Sequence, residues 1–192
     1  MNLIIIALGI LSPKGISGSD NFLIEAGERL IKKKDVSLTL VVSKAGEIAF
    51  GKAGIEADFW VIDNSEDISG AGLLRTTFIL LKRSVKAGLL LRKEEFDKNT
   101  VIYSNSDAFW DVFPLVFIKR KPVKRAASFH MISPNPFKGY RGMFTGKLQI
   151  PRPRETFSYI QQKSCILWLW ARRERHLDQS NMRHFLLSKG FP

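Results

Sequence analysis

The sequence predicts an α/β protein in which helices cover both faces of a parallel β-sheet. Short apolar runs rich in Val, Ile and Leu alternate along the chain with longer runs whose apolar residues recur every three or four positions. The short runs lack a regular polar alternation, which is typical of strands buried on both faces. Strands and helices that alternate in this way form parallel sheets with right-handed crossovers.

The first predicted strand spans residues 3–11, an apolar and β-branched run that ends before Ser12, Pro13 and Gly15. It is too short to cross a bilayer, which takes about 20 residues. No basic residue precedes it and no small-residue cleavage site follows it, so it does not resemble a signal peptide. A helix is predicted next, at 19–34, because its apolar residues fall at the helical period.

The later elements continue the alternation. Further strands are predicted at 36–42, 59–62, 100–103 and 125–131, and further helices at 47–52, 70–92 and 108–121. Pro114 is expected to kink or delay the last of these helices. The apolar run 73–91 is interrupted by four cations, which favours an amphipathic or core helix over a membrane span. A loop rich in Pro, Gly and Arg at 133–154 precedes helices at 156–175 and 181–188.

Composition excludes several classes of protein. The 45% hydrophobic and 25% charged residues are globular values, which exclude a disordered or fibrous chain. The single cysteine, Cys165, excludes an intramolecular disulfide framework and indicates a reducing compartment. We therefore expect a cytoplasmic protein, either free or peripheral on the cytoplasmic face of the membrane. No pair of histidines has metal-ligand spacing, and we expect neither a metal nor another cofactor.

The charge is concentrated near the end of the chain. Residues 1–118 hold 14 Lys and Arg against 15 Asp and Glu, whereas residues 119–192 hold 16 against 3, within a net charge of +12. Such a basic segment is typical of proteins that bind nucleic acid, an anionic membrane surface or an anionic ligand. Aromatic residues are interleaved with these cations. Three interpretations stay open: a helix packed on the sheet with a basic outer face, a membrane interface, and a single-stranded nucleic-acid site.

Ligands of parallel α/β sheets bind at the carboxyl ends of strands, near the point where the strand order reverses. The loop after the first strand contains Ser17, Gly18, Ser19 and Asp20, and its glycines place backbone N–H groups at a helix N-terminus. This loop is either a ligand-binding turn or a tight turn in which Ser19 or Asp20 caps the helix. Its spacing is not that of a dinucleotide-binding glycine fingerprint.

The loop after the fourth strand contains Asn105, Ser106 and Asp107. Their polar side chains either bind sugar hydroxyls or cap the helix that follows. Both functions suit short polar residues at a strand end, so the sequence alone leaves the two interpretations equal.

The fifth strand is followed by His130 at the same predicted edge of the sheet. A histidine there serves as a hydrogen-bond donor, a general base or an orienting group, unless it is a structural histidine. Tyr140 and Arg141, in the loop at 133–154, complete the predicted substrate-binding residues.

Four segments resemble a known family: Gly18-Ser19-Asp20-Asn21-Phe22, the strand at 36–42, Val101-Ile102-Tyr103-Ser104-Asn105-Ser106-Asp107, and Ala127-Ser128-Phe129-His130. Together they resemble the N-terminal half of GT-B glycosyltransferases, of the retaining family-4 type that includes mannosyltransferases and glycogen synthase-like enzymes. The likeness extends over almost the whole chain. It implies one Rossmann-like, acceptor-side domain over 1–192, with a basic helical segment at 156–192.

The resemblance also implies roles for residues. The Gly18-Ser19 turn would approach the donor phosphates or the acceptor, although Ser17 stands where the family commonly has glycine. His130 would face the transferred sugar as the catalytic residue. The groups that hold the nucleotide diphosphate belong to a second domain of the family, which has no counterpart in 1–192.

The resemblance therefore implies an acceptor-binding domain that transfers no sugar alone. Its partners would be a nucleotide-sugar donor, a sugar or lipid-linked acceptor, and an anionic membrane surface. Two rival functions stay open: a self-contained module that binds a small molecule or nucleotide, and a basic protein that binds nucleic acid. Phosphate contacts would give the second rival a steep dependence of affinity on salt.

Overall fold

In the computed structural model of the protein, the described residues are 1–14, 20–33, 35–118 and 121–128, with the backbone alone at 18–19, 140–141 and 148–149. The chain divides into two units, Met1–Ile132 and Ser133–Pro192. The alternation of strands and helices lies in the first unit.

The five predicted strands of the first unit are all present. They are β1 (Asn2–Ala7), β2 (Ser37–Val42), β3 (Asp58–Val61), β4 (Thr100–Ser104) and β5 (Lys124–Ala127). The helices are α1 (Gly18–Ile31), α2 (Lys44–Lys52), α3 (Leu73–Lys93) and α4 (Phe109–Val112), and a 3-10 helix, Phe113–Val116, follows α4.

The strands form one parallel sheet in the order β3-β2-β1-β4-β5. Each neighbouring pair is parallel, with Ile5 of β1 opposite both Leu40 of β2 and Tyr103 of β4. The central strand is buried on both faces, as its apolar sequence predicts. The strand order reverses between β1 and β4, because β2 and β3 extend to one side of β1 and β5 extends to the other.

Helices cover both faces of this sheet. One face packs against α1 and α2 through a cluster that includes Ile5, Ala7, Leu23, Leu40 and Phe50. The other packs against α3 and the 3-10 helix through a cluster that includes Ile4, Ile6, Ala87, Leu91 and Leu115. The alternation of β1 residues between the two clusters follows from the two-residue period of a strand. The predicted α/β class, a Rossmann-like sheet between helices, is therefore confirmed.

The first strand is shorter than its apolar run. Regular pairing of β1 ends at Ala7, whereas the sequence predicts a strand to residue 11. Leu8 and Ile10 stay buried, but their backbone polar groups bond to side chains of α4 and α3 instead of to neighbouring strands. The apolar sequence indicates that these residues are buried, but it does not show whether their backbone groups bond to neighbouring strands or to side chains.

The helix predicted at 108–121 is shorter than expected, and the α-helix is interrupted next to Pro114, where the sequence predicts a kink or a late start. A single α-helical turn, α4, is followed by the 3-10 helix. Pro114 has no N–H to donate to the carbonyl of Trp110, and its ring excludes a continuous α-helix at this point. The rings of Phe109 and Phe113 stack with centroids 4.7 Å apart.

We predict that Gly88→Ala destabilises the fold by about 1–3 kcal/mol, because α3 lies close to the 3-10 helix at this glycine. A Cβ at Gly88 would lie 2.8 Å from both Cγ and Cε2 of the Phe117 ring and nearer still to Cδ2. Urea denaturation measures the effect. Gly51→Ala in α2 is the matched control, since a Cβ there meets nothing within 4 Å and alanine favours the helix. Equal stability of the two variants would contradict the prediction.

In the second unit, β6 (Tyr140–Arg141) and β7 (Leu148–Gln149) pair antiparallel, so the segment predicted as a loop at 133–154 contains a short strand pair. The helices predicted at 156–175 and 181–188 lie outside the described residues. Within the described part of the chain, no helix is long and apolar enough to cross a membrane.

Candidate functional site

The reversal of strand order between β1 and β4 marks the candidate site. Crossovers leave β1 and β4 toward opposite faces of the sheet, and the carboxyl ends of two such strands are where open α/β sheets bind ligands. The segments at this edge are the chain after Ala7, the first turn of α1 and the loop 105–108.

Asp20 and Asn105 contact each other at this edge of the sheet. Asn105 continues the pairing of β4 by one residue, since its backbone N–H donates to the carbonyl of Ile6 at 2.9 Å. Its side-chain Nδ2 donates to Oδ1 of Asp20 at 3.2 Å. Both residues are buried, and 85 positions separate them in the sequence. The contact joins the start of α1 to the end of β4.

A second carboxylate, Asp111 of α4, contacts the segments that follow β1 and β4 at this edge. Its Oδ1 accepts from the backbone N–H of Leu8 at 2.7 Å, and its Oδ2 accepts from the hydroxyl of Ser106. The Ser106 hydroxyl also accepts from the backbone N–H of Ala108 at 3.2 Å. Asp111 thus fixes the backbone after β1 and the loop after β4 in one network.

The pKa of Asp111 is raised from 3.8 to about 7. Burial is the main cause, because desolvation disfavours the charged carboxylate. The negative charges of Asp20 and Asp107 add to the increase, whereas the hydrogen bonds from Ser106 and Leu8 oppose it. Asp111 therefore binds a proton near neutral pH, within a cluster of three carboxylates.

Arg83 of α3 stabilises the end of β1 from the opposite side. Its side chain is 1% exposed. Nε donates to Oδ2 of Asp63 at 2.9 Å, and Nη1 donates to the carbonyls of Leu8 and Ile10 at 3.3 and 3.1 Å. Although burial alone would raise the pKa of Asp63, the Arg83 and Ser65 contacts hold that pKa below its ordinary value. These bonds explain how the segment after Ala7 stays buried without strand pairing.

The loop after β1 is also bonded to the loop after β3. The Ser12 hydroxyl donates to Oδ2 of Asp67 at 2.9 Å, and the backbone N–H of Ile68 donates to the carbonyl of Leu11 at 2.8 Å. Residues 11–14 therefore have a defined path toward the candidate site.

The end of β2 lacks the acidic residue that binds the ribose hydroxyls of a dinucleotide in Rossmann folds. Ser43 follows β2 and is fully buried. Its hydroxyl accepts from the backbone N–H of Gly46 and donates to the carbonyl of Ile10. Ser43 therefore caps α2, which begins three residues before the predicted helix start.

Some predicted site residues come together in the structure. Asp20, Asn105, Ser106 and Asp107 lie at the carboxyl edge, and Asp20 contacts Asn105 directly. The N-cap residue of α4 is Ala108, which makes no side-chain cap hydrogen bond, and Ser106 bonds both to Asp111 and to the backbone N–H of Ala108. The alternative in which Ser106 or Asp107 is the N-cap residue of this helix is therefore wrong.

The remaining predicted residues are placed by backbone alone or not at all. Gly18 and Ser19 are the first two residues of α1, with Asp20 in its first turn, so neither Ser19 nor Asp20 precedes the helix as its cap. Tyr140 and Arg141 form β6 in the second unit. Ser17 and His130 lie outside the described residues.

Sequence analysis missed Arg83 and Asp111. In α3, Arg83 shares the helical spacing of Leu80, Ala87 and Leu91, which places a cation on the inner face of the helix. Asp111 is a lone carboxylate within the apolar run 108–118. A charged residue at an apolar-face position is the signal in both cases, because charged side chains are seldom fully buried without a partner.

The described residues contain no group of three or more His, Cys, Asp or Glu that could hold a metal ion. No protein-family model, no curated protein and no solved structure matches the chain.

Proposed function

We propose that the chain is the acceptor-binding domain of a glycosyltransferase that transfers a sugar from a nucleotide-sugar donor to a sugar or lipid-linked acceptor. The contact of Asp20 with Asn105 at the strand-order reversal is the observation that supports this most strongly. It gathers carboxylate and amide groups at the edge where open parallel sheets bind ligands.

The chemistry of this edge favours a hydroxylated ligand. A sugar hydroxyl both donates and accepts hydrogen bonds, so a carboxylate and an amide are complementary partners for it. Asp20 supplies an acceptor and Asn105 supplies both kinds of group, on elements that the sheet holds in place. Ser106 is held beside them by Asp111, which we assign as a positioning residue.

The electrostatics favour the acceptor over the donor. Asp20 and Asp107 are close enough to Asp111 for their negative charges to raise its pKa, and the same two charges would repel a nucleotide diphosphate at this edge. Arg83 offers a diphosphate no exposed charge, since its side chain is buried and bonded to Asp63. A neutral acceptor sugar meets no such repulsion. The donor's diphosphate would be held on the second domain that the family resemblance implies.

The resemblance also supports a role for His130 in the proposed transfer. The family's histidine after the fifth strand faces the transferred sugar, and β5 is the edge strand next to β4. We propose His130 as the catalytic residue of the assembled enzyme.

We predict that the chain binds simple methyl glycosides and that Asn105→Ala weakens this binding by about 10–100-fold, the range for loss of hydrogen bonds to charged or buried polar partners. Asp20→Asn, which keeps the shape of the side chain, is expected to weaken it as well. Isothermal titration calorimetry with methyl mannosides, methyl glucosides, UDP and GDP measures the affinities.

The matched control is Asp58→Asn, because Asp58 is an exposed carboxylate at the amino end of β3, on the opposite edge of the sheet. This variant should bind the glycosides as the unmodified chain does. Binding of UDP or GDP without binding of any glycoside would refute the acceptor assignment and favour a nucleotide-binding module.

A further inference from the structure

The outer face of α3 exposes large apolar side chains. Leu74 is 87% exposed and Phe78 is 67% exposed, and Leu81 and Leu89 are exposed on the same side of the helix. Their spacings of four, three and eight residues form one stripe, which extends about 22 Å along the helix at 1.5 Å per residue. A contiguous exposed apolar stripe of this kind marks an interaction surface.

This stripe is separate from the face that α3 packs on the sheet. The inward positions Leu80, Arg83, Ala87 and Leu91 are buried. A helix that contacts only solvent on its outer face normally carries polar residues there. In α3 the outer face is apolar along most of its length, so packing of the described domain does not account for it.

Exposed cations accompany the stripe. They are Arg75, Lys82, Lys86, Arg92 and Lys93. The helix contains no Asp or Glu between residues 73 and 93. An apolar stripe beside a row of cations is the pattern of helices that lie in the plane of a membrane interface.

We infer that the outer face of α3 docks on an anionic lipid bilayer. In this arrangement Leu74, Phe78, Leu81 and Leu89 insert at the boundary between headgroups and acyl chains, and the cations contact anionic headgroups. The helix lies on the bilayer and does not cross it, in agreement with the lack of a membrane-spanning helix in the described residues. The inference does not depend on the proposed sugar ligand.

Other occupants fit this face less well. A second copy related by a two-fold axis would bring the same cations together across the interface. A nucleic acid would contact the cations but would leave the leucine and phenylalanine side chains without an apolar environment. An anionic bilayer is complementary to both the apolar stripe and the cations.

Co-sedimentation with phosphatidylcholine vesicles, prepared with and without phosphatidylserine, tests this surface. The full chain should partition onto the anionic vesicles. Lys82→Glu/Lys86→Glu should reduce partitioning by at least about 25-fold, because each basic residue near an anionic surface contributes about a factor of five and the introduced carboxylates are repelled. Leu74→Ser/Phe78→Ser should reduce it at least about tenfold through the lost apolar insertion.

The controls lie on the opposite face of the sheet. Lys32→Glu/Lys52→Glu changes the net charge by the same amount as the α3 double variant, at the turn after α1 and at the end of α2. Phe22→Ser removes an exposed aromatic side chain from α1. Both should partition as the unmodified chain does, with unchanged circular dichroism for every variant.

The inference fails if anionic vesicles do not bind the chain, or if the α3 variants bind as tightly as the controls. It also fails if sedimentation equilibrium shows a dimer that Leu74→Ser/Phe78→Ser dissociates. Glycoside affinity is measured without vesicles, so failure of either proposal leaves the other intact.

Discussion

Replacement of Arg83 by methionine should lower the free energy of unfolding by about 3–5 kcal/mol, the usual cost of removing one partner of a buried ion pair. Methionine fills much of the same volume but donates no hydrogen bond. Asp63 would lose the cation that stabilises its charge, and the carbonyls of Leu8 and Ile10 would lose the Arg83 hydrogen bonds. The carbonyl of Ile10 would keep its bond from Ser43. Because these carbonyls belong to the segment that directly follows the central strand, the defect would extend to the candidate site.

Urea denaturation of matched variants measures this effect. Arg75→Met is the control, since it removes an exposed cation from the same helix and should change stability by less than about 1 kcal/mol. Arg83→Lys keeps the charge but lacks the planar guanidinium that serves Asp63 and two carbonyls together, so it should restore only part of the loss. If Arg83→Met were as stable as Arg75→Met, the structural role assigned to the guanidinium would be wrong.

Asp111→Asn should change how stability depends on pH. The folded protein holds the Asp111 proton up to about pH 7, whereas an unfolded chain releases it near pH 3.8. The folded state thus binds more protons between these values, and the free energy of unfolding falls as pH rises through this interval. Asparagine imitates the protonated acid and abolishes this fall. Near pH 4 the variant and the unmodified protein should have the same free energy of unfolding. At pH 8 the variant should be more stable by about 4 kcal/mol, because each unit of pKa difference corresponds to about 1.4 kcal/mol.

The difference in unfolding free energy between the two proteins, measured from pH 4 to pH 8, isolates the Asp111 contribution from that of other groups. Asp58→Asn serves as the control, because Asp58 is exposed at the opposite edge of the sheet. Asp20→Asn should lower the pKa of Asp111, since the Asp20 charge raises it. A difference between Asp111→Asn and the unmodified protein that does not vary with pH would contradict the assigned protonation.

The strands and their arrangement in layers could be predicted from the sequence because burial on both faces leaves a visible pattern. The apolar runs that become β1, β2 and β4 have no exposed side, and the helices between them keep the helical period. The end of β1 could not be predicted. The N–H and carbonyl groups of Leu8, just after β1, bond to side chains 103 and 75 positions away, on α4 and α3. The apolar residues of a strand do not indicate such partners.

The site was predictable in part, for a related reason. Polar residues that follow buried strands must lie at the carboxyl edge, which places Asn105, Ser106 and Asp107 once the strands are known. Asp20 follows because α1 begins at that edge. Arg83 and Asp111 are inside helical elements, where a charged residue usually faces solvent. Only the fold shows that both point inward and bond to the backbone after β1.

The most direct test of the proposed acceptor site is a two-dimensional ¹H–¹⁵N spectrum of the labelled chain titrated with a methyl mannoside or methyl glucoside. We expect saturable shifts of the backbone amides of Leu8, Asp20, Asn105 and Ser106, and no change at Asp58. Shifts confined to other parts of the chain, or shifts of these amides by UDP and by no glycoside, would contradict the assignment of the edge between β1 and β4 as an acceptor site.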